Sequence, residues 1–208
     1  MINISKLDLT KNPFWYIKKR EILDNQLFQN LKKDFPDDDL YTNNNPKKIS
    51  ARAGDDLYPC DKNYEKLLNR SESWKLFVDY LNSKDFLNNV FDVFYDYLIS
   101  ENLKVNLYKY ILEKSYTPSR IERANSQKNL IIKKIIDKFY NKKNNLYVTC
   151  DISRAKMGYS LKPHCDHQYR IFSFIIYFTN PQNIGLKGGN LEIYKRKNPD
   201  SRSRNLDR

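Results

Sequence analysis

The feature that most constrains this chain is a change of hydrophobic period. From Ser71 to Ser100, "SESWKLFVDYLNSKDFLNNVFDVFYDYLIS", apolar residues recur every three or four positions: Trp74, Phe77, Val78 and Leu81, then Phe86, Val90, Phe91, Phe94, Tyr97 and Leu98. That spacing lays an apolar stripe along one helix face. After Asn145 the segments "NLYVTCDIS", "RIFSFIIYFTN" and "GGNLEIYK" are instead rich in β-branched and aromatic residues, with "RAKMGYSLKP" and "PQNIGLKGG" supplying the turn residues between them. A helical front feeding a β-rich carboxy-terminal third defines an α+β chain.

The helical part divides further. "NPFWYIKKREILDNQLFQNLKKDFP" opens with a strand-like Phe14 to Ile17 and continues with Ile22, Leu23, Leu27, Phe28 and Leu31 at helical spacing, ending at Pro36. Asp37 to Cys60 is turn-rich and is expected to be a loop with little regular structure. Ser71 is the expected N-cap of the next helix, and a break near Asn82 and Ser83 separates it from another. A further helix is expected over Lys128 to Tyr140. The aromatic stripe reads as core packing rather than a ligand box.

Composition narrows the function classes. With 40% hydrophobic and 14% aromatic residues the chain folds around a core, and 208 residues suit a single domain. The three cysteines form no C-x-x-C pair, and "MINISKLDLTKNPFWY" lacks the apolar core of a secretory signal. A reduced, cytoplasmic setting is therefore expected. The longest apolar run, "IFSFIIYF", is too short to span a bilayer as a helix, so no membrane partner is expected. A net charge of +12 raises the question of nucleic acid, but the lysines come as scattered pairs in a chain also rich in Asn, Ile and Tyr. This reading favours solvated surface and keeps a polyanion-binding face as the lesser alternative.

Both histidines sit in "SLKPHCDHQYR", just ahead of the most apolar run. In extended chain, residues two apart share a face, so His164 and Asp166 present an imidazole and a carboxylate side by side, while Cys165 and His167 point the other way. Those two donors are two thirds of the 2-His-1-carboxylate set that holds Fe(II) with open positions. The same alternation places Ile171, Ser173, Ile175 and Tyr177 on one face of "RIFSFIIYF" and Arg170, Phe172, Phe174, Ile176 and Phe178 on the other. Arg170 is expected to face solvent. Cys150 and Cys165 lack the close-spaced pairing of zinc sites and read as core or surface thiols.

Gly158-Tyr159, Pro163-His164-Cys165-Asp166, the strand ending in Asn180, and Gly188-Gly189-Asn190-Leu191-Glu192-Ile193 together resemble the 2-oxoglutarate- and Fe(II)-dependent oxygenases, in particular the prolyl hydroxylase-like branch. The opening strand and helix are similar too; Leu103 to Asn145 match nothing in that family. The resemblance implies a double-stranded β-helix, or jelly roll, with supporting helices outside it. It implies His164 and Asp166 as metal ligands, Tyr177 as a hydrogen-bond donor to the distal carboxylate of 2-oxoglutarate, Leu191 at the pocket, and ascorbate as an accessory reductant. The substrate is not specified by these motifs.

The family pattern also has a second histidine and then a basic residue downstream. No histidine follows His167, and 14 residues follow Tyr194. The expectation is thus one domain over 1–208, with a mainly helical portion at 1–145, the first jelly-roll strands at 146–194 and a basic polar tail at 195–208. The jelly roll would be incomplete at the carboxy terminus, activity of this chain alone doubtful, and unpaired strands a route to self-association. A non-catalytic relic and a basic polyanion-binding module are the alternatives to an oxygenase domain.

Overall fold

The computed structural model describes residues 1–12, 14–41, 54–59, 61–100, 110–112, 145–155, 158–159, 170–179, 185, 191–192, 195–196 and 206–207. The chain divides into two compact units, one of Met1–Asn43 with Asp56–Ser153, the other of Asn44–Asp55 with Arg154–Arg208.

The first unit is built on helices. At its start a 3-10 turn, Lys6–Asp8, leads into β1 (Leu9–Thr10), which pairs antiparallel with β2 (Tyr16–Ile17). The amino-terminal residues are tied down by a bridge from Ile2 to Leu23, and both side chains are buried. Helix α1 (Asn25–Lys33) begins where Asp24 accepts a hydrogen bond from the Leu27 amide, an N-cap that satisfies one of the helix's orphan donors. Its inward residue Leu31 is fully buried.

Helices α2 (Lys62–Arg70), α3 (Glu72–Leu81) and α4 (Lys84–Ser100) follow, and α3 packs against α1, α2 and α4. Ser71 caps α3 as its sequence implies, its hydroxyl accepting from the Trp74 amide. The same hydroxyl donates to Asp34 at the end of α1 at 2.7 Å, so one buried side chain both starts a helix and fastens it to another. The break near Asn82 is real, and Ser83 restarts the helix by accepting from the Phe86 amide. Trp74, Phe77, Leu81, Phe86, Val90, Phe91, Phe94 and Leu98 are all buried, so the aromatic stripe is the core of this unit. Its rings meet edge to face, Trp74 with both Phe35 and Phe77 and Tyr80 with Phe86.

Two features depart from the sequence reading. The segment expected as a plain loop contains a 3-10 turn, Asp38–Tyr41, and a strand, β3 (Gly54–Leu57). Leu40 and Tyr41, the apolar pair at the end of an acidic run, are buried against α2, where Asn63 donates to the Leu40 carbonyl. Helix α2 was not expected; Tyr64 and Leu67 are its buried residues, and apart from Leu68 its other residues are polar. The helix expected over Lys128 to Tyr140 lies outside the described residues.

The remaining strands are short. β4 (Ile111–Leu112) pairs parallel with β5 (Asn145–Leu146), β6 (Ile152–Ala155) pairs with β3, and β7 (Lys195–Arg196) pairs antiparallel with β8 (Leu206–Asp207). Among the described residues these make two-stranded sheets rather than one continuous sheet. Residues 170–179, expected from the sequence as a strand, are in no strand and join none of these pairings. No described helix is long and apolar enough to cross a membrane.

Candidate functional site

The chain leading to the candidate metal motif is anchored by the β3–β6 pairing. Within the first unit, Leu57 and Ile152 are buried and the Ser153 hydroxyl donates to Asp56 at 2.8 Å. Within the second unit, Arg154 pairs with Asp55 at 2.9 Å, with side chains only 26% and 19% exposed. Charge-assisted contacts between residues about a hundred positions apart hold register more firmly than two short strands could alone. Beyond β6 the backbone passes through Gly158 at φ +84, a left-handed conformation that a side chain would strain.

His164 and Asp166, the candidate ligands, lie outside the described residues, as do Cys165, His167, Gly188 and Gly189. Tyr177 is described and is 58% exposed, and Leu191 is 59% exposed. Arg170 faces solvent, as its place in the sequence implies. Burial along the apolar run alternates at its end: Ile175 and Tyr177 are exposed, Ile176 and Phe178 half-buried. The ring centroids of Phe172 and Phe174 are 6.3 Å apart, so these residues leave the chain on one side.

Sequence reasoning missed a polar cluster beside β6. Tyr64, buried in α2, has no hydrogen-bond partner for its hydroxyl among the described residues, although the Cys150 thiol and the Asp151 carboxylate are close enough to act on it. Burial raises the phenol well above its ordinary range, and Cys150 and then Asp151 add to the rise. Burial likewise pushes the Cys150 thiol up to about 11; the Tyr64 hydroxyl pulls the other way and Asp151 adds a further rise. Both groups stay protonated near neutral pH, and Cys150 is no thiolate nucleophile there. Nothing in the sequence pointed to this pair, since 86 positions separate Tyr64 from Cys150.

No group of three or more His, Cys, Asp or Glu side chains suited to a metal occurs among the described residues, a set that contains neither histidine. Comparison with protein-family models, with curated proteins and with solved structures returns no match.

Proposed function

We propose that the chain is an Fe(II)- and 2-oxoglutarate-dependent oxygenase domain with His164 and Asp166 as metal ligands. The observation that carries this reading is Pro163-His164-Cys165-Asp166 directly ahead of an apolar β-type run. The donor set suits the ion: a neutral imidazole and a carboxylate two positions apart are the ligand types that hold a hard first-row divalent metal. When bound, Fe(II) with dioxygen supplies oxidation of a C–H bond coupled to conversion of 2-oxoglutarate to succinate and carbon dioxide.

The chain's own residues have simpler tasks. His164 must be unprotonated at one ring nitrogen to ligate, so metal binding weakens as pH falls through the ordinary histidine range. Tyr177 donates its hydroxyl to the distal carboxylate of the cosubstrate, and its exposure leaves that hydroxyl open to a ligand from solvent. A jelly roll built from the β-rich third is the architecture proposed with this function.

The test is titration of the purified chain with Fe(II) under anaerobic conditions, with Mn(II) as a redox-inert stand-in. Saturable binding to wild type that is lost in both His164→Ala and Asp166→Ala supports the reading; unchanged affinity in either variant overturns it. Succinate formation from 2-oxoglutarate with added Fe(II) and ascorbate then reports activity, and Tyr177→Phe should raise the KM for 2-oxoglutarate more than it lowers kcat.

A further inference from the structure

We draw no further inference here: the strongest candidate, the excess positive charge of the second unit, 14 Lys and Arg against 5 Asp and Glu or a net +9 where the first unit has 23 against 20, carries none because net charge draws nucleic acid, acidic protein and anionic lipid alike and nothing in the structure shows which of them covers it.

Discussion

Ser71 shows how much one small side chain decides. Its hydroxyl accepts from the Trp74 amide at 3.2 Å and donates to Asp34 at 2.7 Å, while the Trp74 indole donates to the Asp34 carbonyl at 3.0 Å. Ser71→Ala removes a helix cap and strands a carboxylate contact; urea unfolding should show a loss of about 1–2 kcal/mol. Cys150 makes a pH prediction with a definite sign. Its folded-state pKa is raised to about 11, so the contribution it makes is intact below the ordinary thiol range and is lost as pH climbs toward 11, where the unfolded chain ionises first. In a background with Cys60→Ser and Cys165→Ser, iodoacetamide should therefore label the native chain slowly at pH 8. Labelling should accelerate only as pH approaches about 11. Fast labelling at pH 8 would show a thiol out in water. Glu21 sits at φ 55 just ahead of α1, a left-handed backbone that costs a non-glycine residue about 1 kcal/mol. Glu21→Gly should accordingly leave stability unchanged or raise it in the same urea assay.

At the level of elements, α3 and α4 were legible because their boundaries and their core faces are written in adjacent residues. Capping and periodicity are local, so Ser71, the Asn82–Ser83 break and the stripe from Trp74 to Leu98 could be read directly. Phe86 is 1% exposed at the α4 start and meets Tyr80 edge to face, so Phe86→Ala should cost about 3–5 kcal/mol through the cavity it leaves. The β3–β6 pairing was not legible. Gly54–Leu57 reads as turn sequence, and its strand character comes from Ile152–Ala155, a partner about a hundred residues away. A double-mutant cycle on Asp55→Asn and Arg154→Met should return a coupling on the order of 1–2 kcal/mol, more than an exposed ion pair gives, because both side chains are largely shielded.

For the whole molecule, charge and exposed apolar surface oppose each other. A net +12 keeps copies apart at low ionic strength, while Ile175 and Tyr177, each 58% exposed, favour association once that repulsion is screened. Sedimentation velocity should show a monomer near 50 mM salt and self-association as salt approaches about 1 M, where the Debye length falls to roughly 3 Å. Ile175→Lys should suppress the association. A monomer at every salt concentration would mean that these side chains do not form a sticky face.

What the residues determined without help was local: that the α3 and α4 segments are helical and where they begin, which of their aromatics turn inward, and that an imidazole and a carboxylate stand two positions apart before an apolar run. Each depends on neighbours within a few positions, so each is present in the order of residues. What only the tertiary structure decided depended on groups distant in sequence. The pairing of Asp55 with Arg154, the burial of the Tyr64 hydroxyl near Cys150, the folding of Leu40 and Tyr41 against α2, and the segregation of positive charge into one compact unit all require the chain to return on itself. Period and capping carry no record of which distant segments will meet, because burial and pairing energies arise only once those segments share a core.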